Sequence, residues 1–370
     1  MQPSTRNPIE RWVDRIGRFV LYVLFMIALL EASSWIFIKI YYPARNQQSV
    51  NMPLVNPAAM LELAEVQSNS MVFPTRWYTN QPNYKGKYVI TDESGFRINP
   101  ANISHPKSIG FFGGSTMFSV ATDQANTIPD QVKLPLYNAL NFGVGGYSTG
   151  AELPTFIEAI RKYDSVRIAV FYDGVNEIGR YLEMLQDAAP EKVFDKVGYY
   201  YRTGLETAIK ASPSYGSLEL HIKTPSMTLI ERVLARLRAG KHASATDIEA
   251  ISSRIADLYL SNIHEISEIA KSKSVRAYFF LQPNIFTTKK ILSGNEARIL
   301  GQDKSLLPKL ASAVRDRIMS DKRAKLLNVI DLTMALDKVQ DEVFFDWCHL
   351  NGAGNKYVAE RIIENIKSSI

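Results

Sequence analysis

The sequence predicts a three-layer α/β/α protein with a central five-stranded parallel sheet, preceded by one transmembrane helix. Three observations lead there. From about residue 107 onward, short apolar runs alternate with amphipathic helical patterns, as in a parallel sheet covered on both faces. Several of those runs stop abruptly at glycines or at small polar residues, the punctuation of strands leaving a sheet. Near the N-terminus, the twenty residues Phe19–Ile38 carry a single charge, Glu31, and are long enough to cross a bilayer as a helix.

Trp12, Trp35, Tyr41 and Tyr42 lie near the ends of that run, where interfacial aromatics collect. Arg6, Arg11, Arg15 and Arg18 precede it, whereas only Lys39 and Arg45 follow closely. Positive charge stays inside, so the expected arrangement is a cytoplasmic N-terminus (1–18), a signal anchor (19–42) and all later residues on the periplasmic or extracytoplasmic side of an inner membrane. Glu31 is costly inside lipid and is expected either against a partner helix or near the outer interface. A cleaved signal peptide is the rival reading, because Phe19–Leu30 has the length of its apolar region and Ala32-Ser33-Ser34 is small enough to cut. Glu31 beside that cut and the return of apolar residues at Trp35 favour the anchor. The single cysteine, Cys348, lies far from the terminus and rules out both a lipid anchor there and an intrachain disulfide.

Residues 43–106 are punctuated by seven prolines and read as a membrane-proximal linker and edge segment, with a short helix at Pro57–Gln67 and a hairpin around Tyr84–Arg97. Tyr78, Tyr84 and Tyr88 are candidates for a sugar-binding surface, with packing against the following domain as the favoured alternative.

The domain at 107–370 is expected to contain strands at Ser108–Phe112, Ala139–Phe142, Arg167–Tyr172, Ala277–Leu281 and Asn328–Asp331. Helices are expected at Thr127–Lys133, Gly150–Lys162, Asp247–Lys271, Ser305–Ser320 and Gly352–Ile366. The stretch at about 179–246 exceeds what a crossover needs and reads as an insertion. It leaves just after Asn176, which suggests a lid over a site; a scaffold extension or a membrane-surface helix with Arg232, Arg236 and Arg238 outward is the equal alternative.

The net charge of +6 and a pI near 9.1 come without a nucleic-acid recognition motif, so nucleic acid is not an expected partner. No metal-ligand spacing is present, and Gly113-Gly114-Ser115-Thr116 lacks the lysine of a phosphate-binding loop, so neither metal nor cofactor is expected. His105, His221, His242 and His264 have no carboxylate at a suggestive spacing.

The chemistry concentrates in four blocks. In KSIGFFGGSTM an apolar run meets two glycines and then Ser115, which puts a hydroxyl at the carboxyl edge of a strand, where open α/β sheets bind ligands; the alternative is a helix cap. In FFDWCHLNGAG, Asp346 lies three residues before His349 and can turn back onto the imidazole, the arrangement that makes a serine nucleophilic. Gly146 in NFGVGGYSTG and Asn176 in FYDGVNEIG follow further strands. Together with the Ser115 amide they can supply donors to an oxyanion. Position 117 is methionine, so the G-x-S-x-G elbow of the α/β-hydrolases is not formed.

Those blocks, in the order Ser, Gly, Asn, His, resemble the SGNH/GDSL hydrolase superfamily over about Lys107–Ile370, outside the insertion. Two departures stand: GGST replaces GDS, and Glu177 follows Asn176 where the family often has Asp. The resemblance implies a sheet in the order 2-1-3-4-5, Ser115 as nucleophile, His349 as base oriented by Asp346, and an oxyanion hole of Ser115, Gly146 and Asn176. It further implies a serine esterase that removes an O-acyl group, with acetyl the commonest, from an envelope or exported carbohydrate or lipid. An O-acyltransferase of the same fold, or a non-catalytic polysaccharide assembly factor, are the alternatives. The expected partners are therefore an acylated glycan or lipid, the membrane, and a membrane acyltransferase or polysaccharide-export component.

Overall fold

In the computed structural model the described residues are 8–36, 54–73, 76–98, 105–180, 247–302 and 306–367. The lid, the scaffold extension and the basic helix considered for the insertion, like Tyr41 and Tyr42, fall outside them.

In the first of two compact units, α1 (Pro8–Ile36) has an Arg15–Ile36 portion long and apolar enough to be a membrane anchor or a signal sequence. Phe19, Leu21 and Phe25 project outward and are exposed. Such a surface is unfavourable in water and favourable in lipid.

In the second unit, α2 (Pro57–Ser68) begins where Asn56 caps the amides of Ala58 and Ala59 and Pro57 takes the first helical position. It is followed by a two-stranded antiparallel ribbon, β1 (Met71–Phe73) and β2 (Arg76–Thr79). The expected hairpin at 84–97 is reduced to two isolated antiparallel bridges, Lys85 with Ile90 and Thr91 with Arg97. Its backbone is held by backbone pairs such as Gly86 N–H to the Val89 carbonyl and also by a side chain: the Glu62 carboxylate accepts from the amides of Lys87, Tyr88 and Val89. Arg97 then bridges to Asn141 at the edge of the main sheet. This segment is thus packed into the domain that follows it.

The main sheet contains β3 (Lys107–Gly113), β4 (Tyr137–Asn141), β5 (Val166–Asp173), β6 (Arg276–Leu281) and β7 (Val329–Asp331). All pairs are parallel and the order is β4-β3-β5-β6-β7, which is 2-1-3-4-5 among these five strands, as the resemblance implies. The central strands are buried on both faces, which explains why their sequences are runs and not alternations. On one face Phe142, Phe112, Phe171 and Phe279 stack in a row across neighbouring strands, with ring centroids 4.9, 4.8 and 5.2 Å apart. Each such pair adds about 0.5–1.5 kcal/mol beyond burial. The opposite face presents Ile109, Phe111, Ile168, Val170, Tyr172 and Phe280 to a second core.

After β3 comes a single turn of helix, α3 (Ser115–Phe118), then α4 (Ile128–Gln131) before β4. The first core is covered by α5 (Thr149–Lys162), by α6 (Asp247–Ser272), whose Ile255, Tyr259, Ile263 and Ile266 face inward, and by the helix of 307–320. Between β6 and β7 lie α7 (Gly294–Gln302), α8 (Leu307–Ser320) and α9 (Lys322–Leu326). The last helix, α10 (Gly352–Ile366), is capped by Asn351 and buries Val358, Ile362 and Ile366 in the second core. The expected strands and helices recur within about three residues; α3, α7, α9 and the β1–β2 ribbon are additional, and of these α3, α9 and the ribbon strands are too short to impose a period on the sequence.

Candidate active site

Ser115 follows a glycine pair that leaves β3 with Gly113 at φ +158°, and it takes the first position of α3. An amide there has no intrahelical acceptor and is free to serve a ligand. A Cβ on Gly113 would lie 2.6 Å from the Met117 Cβ, so the chain passes too closely here for any side chain.

From the other end of the sequence, residues 344–350 fold back through a Phe344–Leu350 bridge and a Phe345 N–H donated to the His349 carbonyl. The base of this loop is tied down by the buried Glu296, which accepts from the amides of Val343 and Phe344 and pairs with the buried Lys290 at 2.7 Å. Within it the His349 ring stacks on Phe345, with centroids 5.6 Å apart and planes 10° from parallel. His349 Nε2 lies 2.7 Å from Ser115 Oγ, and Nδ1 lies 2.7 Å from Asp346 Oδ2. The other Asp346 oxygen accepts from the amides of Cys348 and His349.

The electrostatics follow from those contacts. Burial works against the charged imidazolium, yet the adjacent Asp346 carboxylate outweighs it and holds the His349 pKa well above the ordinary histidine value. Burial alone would raise Asp346, but the His349 partner and the two amides bring it below the usual carboxylate value. The Cys348 thiol is pushed up to about 11 by burial. Asp346, Cys348 and His349 place ligand atoms within 4.8 Å of one another, a metal-like distance, but both ring nitrogens of His349 are already engaged, one with Asp346 and one with Ser115.

Gly146 and Asn176 reach the same edge of the sheet. Gly146 has φ +78°, a left-handed conformation that glycine tolerates. Asn176 donates from Nδ2 to the Tyr147 carbonyl at 2.5 Å, which brings its amide next to Gly114. The loop carrying Asn176 is fixed from below by the buried Glu177, whose carboxylate accepts from the amides of Thr149 and Gly174. Glu177, next to Asn176 in the chain, thus serves to fix that loop. Burial raises Glu177 and, beside it, Asp173 and Glu152, the last to about 8.

The structure therefore brings Ser115, Asp346, His349, Gly146 and Asn176 to the carboxyl edge of β3, β4 and β5. At the same edge Gln282 accepts from the Thr116 hydroxyl through Oε1 while its buried Nε2 has no hydrogen-bond partner among the described residues, and Asn284 accepts from the amides of Phe286 and Thr287 in the turn after β6. His264 is exposed on α6, and His221 and His242 lie outside the described residues. Of the three tyrosines weighed as a sugar surface, Tyr78 is buried and Tyr84 and Tyr88 are half-buried. Sequence reasoning missed Tyr78 and Arg180 as neighbours of Gly146. Arg180 sits four residues after Asn176, one helical turn on, and that spacing was the available signal.

No family model and no curated protein matches the sequence. Among solved structures, the chain is similar to a GDSL-like lipase from Bacteroides thetaiotaomicron at 14% identity, covering 72% of this chain and 90% of that one with a TM-score of 0.38. A carbohydrate acetylesterase from Sinorhizobium meliloti matches at 10% identity, with 71% and 100% covered and a TM-score of 0.39. An acetylxylan esterase from Geobacillus stearothermophilus matches at 12% identity, with 71% and 95% covered and a TM-score of 0.34. The strand order and the meeting of the four motif blocks at one edge of the sheet are those that the resemblance to the SGNH/GDSL superfamily implies.

Proposed function

We propose that the protein is a serine ester hydrolase that removes O-acyl groups through an acyl-enzyme. The observation that supports it most directly is the continuous chain of contacts Ser115 Oγ, His349 and Asp346, at 2.7 Å each. In the first half-reaction Ser115 Oγ bonds to the ester carbonyl carbon while its proton passes to His349 Nε2. The carbonyl oxygen becomes an oxyanion that the amides of Ser115 and Gly146 and the side chain of Asn176 stabilise. His349 then gives that proton to the leaving alcohol oxygen as the C–O bond breaks. In the second half-reaction a water loses a proton to His349 and attacks the acyl carbon, the Ser115 C–O bond breaks, and the proton returns to Ser115.

For a chain anchored through α1, an acylated carbohydrate or lipid of the cell envelope is the substrate class proposed, with acetyl the first acyl group to test. The active site then faces the extracytoplasmic side of the membrane. Transfer to a glycan hydroxyl is the competing outcome of the same acyl-enzyme, because water and a sugar alcohol attack the same carbon.

The test is labelling of the chain from Ala44 to Ile370 with a fluorophosphonate, followed by intact mass analysis after incubation with p-nitrophenyl acetate. Labelling at Ser115 that disappears in Ser115→Ala and His349→Ala is expected. Prompt loss of the acetyl adduct in water supports a hydrolase; an adduct that persists until a sugar acceptor is added turns the assignment to a transferase. A folded protein that neither labels nor acetylates overturns both.

A further inference from the structure

Three consecutive carbonyls of the Gly146 loop are each gripped by a side chain from a different part of the chain. Asn176 Nδ2 holds the Tyr147 carbonyl at 2.5 Å. The guanidinium of Arg180 holds the Gly146 carbonyl through Nε at 3.3 Å and Nη2 at 3.2 Å. The hydroxyl of Tyr78 donates to the Gly145 carbonyl at 2.6 Å. Arg180 Nη2 also donates to the Tyr78 hydroxyl oxygen at 3.3 Å, which leaves the hydroxyl proton directed at Gly145.

The Tyr78 contact has a geometric consequence. A trans peptide is planar, and its C=O and N–H point in opposite directions from the two edges of one plate. The plate whose oxygen Tyr78 holds is the one whose nitrogen belongs to Gly146, and the described residues contain no cis peptide. Fixing the Gly145 oxygen therefore fixes the direction of the Gly146 N–H. Gly146 itself is at φ +78°, and a backbone in that region has little besides its contacts to hold it. The same two side chains also close off the other side of the glycine: a Cβ there would lie 2.7 Å from Arg180 Nη2 and 2.9 Å from the Tyr78 hydroxyl.

Tyr78 is suited to such a task. It is 7% exposed, its ring meets that of Tyr147 edge to face at 5.2 Å, and its own carbonyl accepts from the Tyr147 hydroxyl. The Tyr147 hydroxyl thus holds the Tyr78 backbone while the Tyr78 hydroxyl holds the Gly145 carbonyl two residues before Tyr147, so the hydroxyl of Tyr78 has little freedom to wander.

We propose that Tyr78, carried by the segment ahead of the α/β core, is the positioning residue that aims the Gly146 amide at the substrate oxyanion, with Arg180 orienting its hydroxyl. The inference rests on the ester-hydrolase reading, because it assigns Gly146 a role in that reaction. It makes the membrane-proximal segment a working part of the site. A donor aimed before the reaction stabilises the transition state without reorganising, and this appears in kcat and not in KM.

The experiment uses the full chain in detergent and compares the wild type with Tyr78→Phe, which keeps the ring and removes only the hydroxyl, and Arg180→Lys, which keeps the charge and loses the fork. Rates with p-nitrophenyl acetate are measured alongside melting temperature and inhibition by a small alkyl boronic acid, whose tetrahedral adduct mimics the oxyanion. For Tyr78→Phe the expected result is a fall in kcat of about tenfold or more, an unchanged KM, an unchanged pH limb for His349, and boronate affinity weakened in step with kcat. Arg180→Lys is expected to fall between wild type and Tyr78→Phe. If wild type and both variants turn over alike, or if boronate affinity is unmoved while activity and melting temperature fall together, the positioning role is overturned and the ester-hydrolase reading stands. If the wild type itself neither turns over nor binds boronate, the ester-hydrolase reading falls and the inference with it.

Discussion

The side-chain amide of Asn176 occupies the space that a Cβ on Gly114 would fill: that atom would lie 1.9 Å from Asn176 Nδ2 and 3.0 Å from the Tyr147 carbonyl. The glycine just before the nucleophile, where the family pattern has aspartate, is thereby matched to where Asn176 sits. Gly114→Asp, which restores the commoner family residue, is expected to displace Asn176 and lower kcat by about a hundredfold, as is Gly114→Ala. Kinetics on p-nitrophenyl acetate against Asn176→Ala check this; a Gly114→Asp enzyme as fast as wild type contradicts the packing argument.

The His349–Asp346 pair sets the pH dependence. The base must be neutral to accept a proton, and its pKa lies well above 6.5 because the Asp346 carboxylate stabilises the imidazolium. The acid limb of kcat/KM is therefore expected above the ordinary histidine range. Asp346→Asn removes that charge, so the limb moves to lower pH while the plateau falls by about 10⁴-fold, the cost of losing the orienting carboxylate in a comparable triad. A pH–rate profile of both proteins is the check.

Glu152 offers a stability test with a definite sign. Burial raises its pKa from 4.5 to about 8 in the folded protein, with the nearby Glu177 charge adding to the shift. The folded state thus holds a proton that the unfolded chain releases, so this contribution is fully present below pH 4.5 and is lost as pH rises through about 8. Glu152→Gln cannot titrate and is expected to gain on the wild type in melting temperature by several degrees at pH 8 but not at pH 4.5. A residual slope remains from Asp173 and Glu177, which burial raises as well.

Arg97 is 2% exposed and satisfied almost wholly by backbone. Its guanidinium donates to the carbonyls of Tyr88, Phe118, Ser119 and Thr122 and to the side chain of Gln124, tying the N-terminal segment to the loop that follows the nucleophile. Burial pulls its pKa down to about 10, so it stays cationic at neutral pH. Arg97→Met strands several buried acceptors and is expected to cost about 3 kcal/mol or more. Urea unfolding at constant slope measures it.

How much was legible in the residues depended on the range of the interaction. Five strands and the long helices could be placed because burial imposes a period within one element: the Phe111-Phe112 run ends at Gly113, and Ile255, Ile263 and Ile266 fall on one face of α6. Asp346 and His349 could be paired because one loop carries both. The ribbon at 71–79 and the single turn of α3 left no comparable trace, since three or four residues do not establish a period.

By itself the sequence determined which residues could do chemistry and which segments had to be strand, helix or apolar span, because those follow from side-chain type and short-range periodicity. Only the tertiary structure decided that His349 meets a serine 234 residues away, that Tyr78 and Arg180 grip the Gly146 loop, and that Glu152, Asp173 and Glu177 are buried together under Asn176. Those contacts depend on strand order, which brings the ends of β3, β4 and β5 to one edge, and a parallel sheet can join residues there however far apart they lie along the chain.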